Sequence, residues 1–383
     1  MILRNASVFV DGKFIPSDVT VSDGVFQNIQ TKEEGTTGLE KQEEADSYDL
    51  SDKIIIPGFI ELHSHGCVGY DFTTSAPDEI EKMCEFYSEN GITSILATTM
   101  TIGYDTYKKA MQNIKEACEN HTKGSRIIGI NMEGPFLGAS KKGAHDTRYL
   151  LSINEQKYEE LNELSGDRVR IIDLDPDLPG AIPFIEKYSK KKVISLAHTS
   201  CTYETAVTAI EAGATHVTHL FNAMNGLHHR APGIVGAVSD YPVNAEIICD
   251  GIHIHPSVMR LVFKAFPEKL LLISDSMSAA GLADGPYELG GQKVTVKDGK
   301  ATLDDGTIAG STTTIYKAFK KCIEIGIPVE DVVLSATLYP ARAIHAENEI
   351  GSIAVGKRAD FIIMDKNYNI EKVYSGGKLL VSH

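Results

Sequence analysis

Residues 54–65 read Ile54-Ile55-Ile56-Pro57-Gly58-Phe59-Ile60-Glu61-Leu62-His63-Ser64-His65, an apolar run that closes on two histidines. The run 54–62 has the length and apolar content of a buried strand. Side chains two apart on a strand point the same way. Both imidazoles can therefore face one point beyond the strand's carboxyl end, which is a metal-chelating geometry. An HxH pair alone is a weak signal, because histidines also serve as surface or core polar groups, so its meaning depends on the rest of the chain.

Outward from this stretch, apolar β-rich runs alternate with amphipathic helical segments. The runs cover 54–62, 93–99, 126–132, 169–174, 192–198, 215–220, 245–250 and 269–275. Eight such units predict an α/β fold, a (β/α)8 TIM-type barrel over residues 53–350. Residues 1–52 have a shorter, alternating pattern: Ser7-Val8-Phe9-Val10 and Asp18-Val19-Thr20-Val21 are separated by the turn signals Asp11-Gly12 and Asp23-Gly24. The polar, acidic segment from Thr31 to Ser47 reads as a loop. After about Ile350 strands return at 359–364, 372–374 and 379–381. The two ends, 1–52 and 351–383, are expected to join in a small β-sandwich domain beside the barrel.

Composition narrows the function. A chain of 383 residues, 42% hydrophobic and 23% charged, fits an ordinary globular enzyme. Its formal net charge of −15 repels nucleic acid phosphates and anionic lipid, which leaves a small-molecule substrate as the expectation and no nucleic-acid or membrane partner. Six dispersed cysteines, at 67, 84, 118, 201, 249 and 322, form no CxxC pair and point to neither a thiolate zinc cage nor a disulfide framework. No stretch has the length of a membrane span, and Met1-Ile2-Leu3-Arg4-Asn5 does not read as a signal peptide, so a cytoplasmic location is expected.

In barrels of this kind the active site lies at the carboxyl ends of the strands. The first run ends in His63 and His65, the third in Glu133, the fifth in His198, the sixth in His219 and the eighth in Asp275. Singly, each has a bland explanation, such as a loop cap, a helix N-cap or a satisfied polar group. Jointly, five strands would have to place a ligand-type residue at the same end by accident. Imidazole and carboxylate donors suit a divalent metal such as Zn2+ or Fe2+, with one or two ions per subunit. Such an ion lowers the pKa of its water from about 15.7 toward about 7.

The fourth run, Arg168-Val169-Arg170-Ile171-Ile172-Asp173-Leu174, contains no lysine that could be carboxylated to bridge two metals, so Glu133 is the candidate bridge. Asp275 is the candidate general base and acid, able to take a proton from the attacking water and pass it to a departing nitrogen. His216, three residues before His219, is expected to face the opposite way and to be structural. His121, His345 and His383 receive no function. The loop His228-His229-Arg230, directly downstream of a metal-site strand in an acidic chain, reads as a local anion trap.

With these residues in place, the sequence resembles the N-acetylglucosamine-6-phosphate deacetylases of the amidohydrolase superfamily. The likeness is carried by Pro57-Gly58-Phe59-Ile60-Glu61-Leu62-His63-Ser64-His65-Gly66, Glu133-Gly134-Pro135-Phe136, Lys142-Gly143-Ala144-His145, Ala197-His198-Thr199, Thr218-His219-Leu220-Phe221-Asn222-Ala223-Met224, Asp250-Gly251-Ile252-His253 and Ser274-Asp275. Gly310-Ser311 and Ala336-Thr337-Leu338-Tyr339-Pro340-Ala341 also fit. The resemblance implies hydrolysis of the acetamide of N-acetylglucosamine 6-phosphate to glucosamine 6-phosphate and acetate. It makes Glu133, His198 and His219 the principal metal ligands and Asp275 the catalytic carboxylate, and gives His145 the task of polarising the acetamide carbonyl. It also implies sugar contacts at Ala144, Asn222, Ala223, Ile308, Ala309 and Gly310, and phosphate contacts at Arg230 and His253, one of them supplied across a homodimer. Some such enzymes keep HxH and hold two metals, and this chain keeps both histidines.

Two rivals remain at this stage. A cyclic-amide hydrolase of the dihydroorotase or hydantoinase kind would explain the strand ends but not the EGPF and FNAM segments. A non-catalytic scaffold built on the same barrel would be expected to lose ligands or the base, and here all are present.

Overall fold

The computed structural model describes residues 1–32, 46–120 and 123–383. Most of the loop read between Thr31 and Ser47 lies outside the described residues, as does His121.

Eight parallel strands pair in chain order. They are β1 (Phe59–Ser64), β2 (Ile92–Thr99), β3 (Arg126–Glu133), β4 (Val169–Leu174), β5 (Val193–Leu196), β6 (His216–Val217), β7 (Asn244–Ile248) and β8 (Leu270–Ile273). Crossover segments return the chain on the outside, most of them carrying helices, which matches the expected TIM-type barrel. Local capping defines where several helices begin. Thr202, Asn154 and Thr314 accept bonds from Thr205 N, Lys157 N and Lys317 N at the starts of Tyr203–Glu211, Glu155–Leu164 and Ile315–Glu324. β8 meets β1 through the Asp275 N–H donating to His63 O at 2.9 Å and the His65 N–H donating to Ser276 O at 2.8 Å. The ring thus closes at the strand ends singled out from sequence.

The lower lumen is apolar. Ile60 and Leu62, Leu96, Ile171, Val193, Ile248, and Leu271 and Ile273 cluster there with Tyr339, Ile344 and Ile350, which close the amino-terminal end. This is a packed plug rather than a pore.

Strands from both chain ends form a separate sheet. Its path runs from Lys378–Ser382 through Ile370–Ser375, Phe361–Met364, Ile54–Pro57 and Ile2–Val10 to Lys13–Ser22 and Val25–Thr31. One expectation is corrected here. The run 54–62 is not a single barrel strand, because Ile54–Pro57 pairs antiparallel with Phe361–Met364 and parallel with Ile2–Val10. The break has a physical cause. Pro57 has no N–H to continue a ladder, and a Cβ at Gly58 would lie 2.3 Å from Thr93, so only glycine fits where the chain passes into β1.

A second departure is a three-stranded antiparallel sheet after β8, formed by Gly285–Leu289, Gln292–Lys297 and Lys300–Thr302. Its turns, Gly290-Gly291 and Asp298-Gly299, are ordinary hairpin signals that the eight-unit pattern overshadowed. The six cysteines are all free, and among the described residues no helix is long and apolar enough to cross a membrane.

Candidate metal centre and active site

β5, β6 and β8 stop two residues short of His198, His219 and Asp275. The sequence runs had carried these residues inside the strands. In the structure all three have left the sheet with positive φ, at 46°, 28° and 49°. Such backbone is costly for a non-glycine residue and gathers at functional sites. Here it swings each side chain over the barrel mouth, whereas His63 and Glu133 reach the same place from regular strand.

The result is a tight triangle. His198 Nε2 and His219 Nε2 each lie 3.0 Å from Glu133 Oε1 and 3.1 Å from one another. Donors held about 2.0–2.2 Å from a single divalent ion sit about 2.9–3.5 Å apart, so these edges fit one ion. His198 Nδ1 lies 2.8 Å from Lys141 O, which places its proton there and leaves Nε2 as a ligand lone pair. On the far side of Glu133, His65 Nε2 lies 3.1 Å from Oε2 and 3.3 Å from Asp275 Oδ1. His63 Nε2, buried and without a hydrogen-bond partner among the described residues, lies 3.6 Å from Glu133 Oε1 and 3.7 Å from Asp275 Oδ1. His63, His65 and Asp275 are therefore a second donor group that could hold a metal, with Glu133 between the two.

Electrostatics agree with a cation site. Burial works against the charge on Glu133 and Asp275, yet the surrounding histidines hold both carboxyls below their usual range. Burial also opposes the charge on His65, but Asp275 and Glu133 outweigh it and hold the imidazolium up to about 10. A site that attracts protons this strongly attracts a divalent ion for the same reason and releases those protons on binding it.

His145 differs. Burial pushes it down to about 4, with Glu133 opposing and His198 reinforcing, so it is neutral at physiological pH. The Thr101 N–H donates to His145 Nδ1 at 3.4 Å, so its proton sits on Nε2, 3.3 Å from Glu133 Oε2 and directed at the centre. A neutral imidazole with a fixed N–H is a hydrogen-bond donor for a carbonyl oxygen.

A cavity of roughly 460 Å3 opens over these groups. It is lined by His65, Glu133, His145, His198, His219, Asp275 and His253, together with Ala144, Asn222, Ala223, Ile308 and Gly310. The three-stranded sheet forms one wall through Leu289, and Gln292 Nε2 donates to Ala144 O. His253 is anchored by Asp250, with Nδ1 2.7 Å from Oδ2. Burial opposes its charge, but Asp250 wins and raises it above the ordinary range.

Two expected contacts fall elsewhere in the single chain. Ala309 packs inward with Met277 and Leu289 rather than lining the cavity, because Gly310, at φ 59°, turns the chain there. Arg230 is exposed, with Nη1 2.7 Å from His229 Nε2, outside the cavity wall. Expected to face away from the site, His216 instead turns inward beneath it, because β6 ends at Val217 before alternation reaches His219; its Nε2 lies 3.1 Å from Oε1 of Glu246, a residue that also contacts His63.

Sequence reasoning missed Lys141 and Lys142 on the cavity wall, and three buried carboxyls beneath the centre: Glu61, Asp173 and Glu246. Burial pushes Glu61 up to about 8 and raises Asp173, which faces Glu133 in register and has no hydrogen-bond partner among the described residues. The available signal was a charged residue inside an otherwise apolar strand, as in Asn244-Ala245-Glu246-Ile247-Ile248.

Comparison with known proteins places these observations. Residues 54–380 match the amidohydrolase family model, and the chain belongs to the amidohydrolase family. Relatives within it are deacetylases of amino-sugar 6-phosphates. An N-acetylglucosamine-6-phosphate deacetylase of Bacillus subtilis is 31% identical over 97% of this chain and 94% of its own. An N-acetylgalactosamine-6-phosphate deacetylase of Escherichia coli O157:H7 is 32% identical over 85% and 88%. Among solved structures, an aspartate-to-alanine mutant of the Mycobacterium smegmatis N-acetyl-D-glucosamine-6-phosphate deacetylase, with that sugar bound, superposes with a TM-score of 0.91 at 28% identity, covering 100% of this chain and 99% of that one.

Proposed function

We propose that this chain is a metal-dependent deacetylase that hydrolyses the acetamide of N-acetyl-D-glucosamine 6-phosphate to D-glucosamine 6-phosphate and acetate, in amino-sugar catabolism. One observation carries the reading: a Glu133–His198–His219 triangle sized for one ion shares a cavity with Asp275 and His145. The relatives' names favour it over a cyclic-amide hydrolase.

Glu133, His198 and His219 would hold the principal Zn2+ or Fe2+ ion, and His63 and His65 with Glu133 and Asp275 a second. The ion supplies Lewis-acid polarisation and activation of water at neutral pH. Asp275 takes the proton of the attacking water as the new C–O bond forms. His145 donates from Nε2 to the acetyl oxygen as charge gathers there, a contact worth about 3–4 kcal/mol. Asp275 then passes its proton to the nitrogen as the C–N bond breaks, giving the free amine and acetate.

Ala144, Asn222, Ala223, Ile308 and Gly310 are proposed to contact the sugar, and His253 its phosphate. Arg230 stands outside this chain's cavity, so its phosphate contact requires a second subunit. Exposed Leu227 and Ile252 beside these loops supply apolar surface for such a homodimer. We place the enzyme in the cytoplasm, with its barrel starting at Phe59 rather than at residue 53, because Ile54–Pro57 joins the end domain formed with 1–52 and 351–383.

The test is acetate release by protein loaded with Zn2+ or Fe2+, using the 6-phosphates of N-acetylglucosamine, N-acetylgalactosamine and N-acetylmannosamine, with hydantoins as the contrast. Turnover of the glucosamine derivative above the others is expected. Hydantoin cleavage without acetate release would overturn the reading.

A further inference from the structure

Glu246 is fully buried in β7, on a strand that contributes no metal ligand, yet it touches both halves of the centre. Its Oε2 lies 2.9 Å from His63 Nδ1 and accepts the backbone N–H of His219 at 3.2 Å, while Oε1 lies 3.1 Å from His216 Nε2. A carboxylate only accepts hydrogen bonds. It therefore keeps a proton on His63 Nδ1 and leaves Nε2 as the atom facing Glu133 and Asp275. Without that acceptor the ring is free to carry its proton on Nε2, where it cannot bind a metal.

We propose that Glu246 is the positioning residue that commits His63 to ligation, by fixing Nε2 as the ring atom turned toward Glu133 and Asp275. The inference rests on the metal-dependent reading above. It assigns Glu246 no contact with substrate. Outer partners of this kind govern metal affinity by roughly 10–100-fold.

Two substitutions separate positioning from packing. In Glu246→Gln the amide oxygen can occupy the Oε2 position and keep both donors, while the NH2 faces His216, whose own Nδ1 is unpartnered and free to take the ring proton. Glu246→Leu keeps much of the volume and offers no acceptor. Elemental analysis and zinc titration of the purified full chain are expected to give two ions for wild type and Glu246→Gln. Glu246→Leu should give one firmly held ion and a second weakened by 10–100-fold.

Should the leucine variant fail to fold, nitrogen NMR of His63 in metal-free wild type gives an independent readout, with a proton on Nδ1 expected. A proton on Nε2 alone, a wild type that takes only one ion, two tight ions in Glu246→Leu, or equal weakening of both ions would each overturn the proposal. A wild type that binds no ion at all would instead overturn the metal-dependent reading beneath it.

Discussion

His198 and His219, from different strands, bring their Nε2 atoms to 3.1 Å of each other, and each lies 3.0 Å from the same oxygen of Glu133. Two ring nitrogens and one carboxylate oxygen cannot all satisfy one another at that spacing with protons alone, because His198 already spends its N–H on Lys141 O. One divalent cation satisfies all three at once. The positive φ of both histidines is the conformational cost of that arrangement.

Asp275 closes the other side of the cavity and is held ionised by His65 and its neighbours. Asp275→Asn keeps the shape but loses the proton carrier and the charge it gives the second donor group, so metal content is measured alongside. We expect kcat to fall by about 100–10,000-fold, with substrate affinity retained. Steady-state kinetics beside direct substrate titration checks this; near-normal turnover removes Asp275 from its role.

His145 is buried and neutral, with its donor fixed by the Thr101 N–H. His145→Ala should cost about 100–1,000-fold in kcat, and little in metal content. If ion loading collapses in parallel, the residue supports the metal centre rather than the carbonyl.

Asp250 raises the pKa of His253 above the free value of about 6.5. The folded pKa lies above the unfolded one, so this pair's stabilisation is complete below about pH 6.5 and fades as pH climbs through the folded value. The charge available for phosphate follows the same course. The preference for the phosphorylated over the unphosphorylated sugar, measured as a ratio of KM values, should hold below about pH 6.5 and decline as pH climbs through the raised folded value. In His253→Gln the ratio should be lower and flat with pH; an unchanged alkaline decline would assign the effect to another group.

Arg230 lies outside the cavity of its own chain. Arg230→Ala should raise KM for the phosphorylated sugar and leave the unphosphorylated one unaffected. Mixing it with a Asp275→Asn chain tests where the arginine acts, because mixed dimers with Arg230 reaching across would restore low KM in half the sites.

Gly58 leaves no room for a Cβ beside Thr93. Gly58→Ala should destabilise the fold by about 1–3 kcal/mol through overpacking, read as a lowered Tm. An unchanged Tm would show that β1 and β2 have slack at that point.

The barrel was legible because most of its strands are apolar runs, although β6 is only His216–Val217. The metal residues were legible because strand ends are where function concentrates in this architecture. What stayed hidden has a physical reason in each case. The transfer of Ile54–Pro57 to the end sheet depends on pairing with Phe361–Met364, some 300 residues away, and a continuous apolar run gives no sign of changing sheets. The early ends of β5, β6 and β8 are set by φ at His198, His219 and Asp275, which composition does not report. Glu246 was invisible as a partner because its three contacts come from β1, His216 and His219, gathered only when the ring closes.

The passage of the chain from Ile54–Pro57 into Phe59–Ser64 makes the protein's extremities custodians of its chemistry. The thread bearing His63 is gripped on one flank by the first strand of the chain and on the other by one of the last three. An excised barrel would begin with an unclasped lead running straight into its ligands.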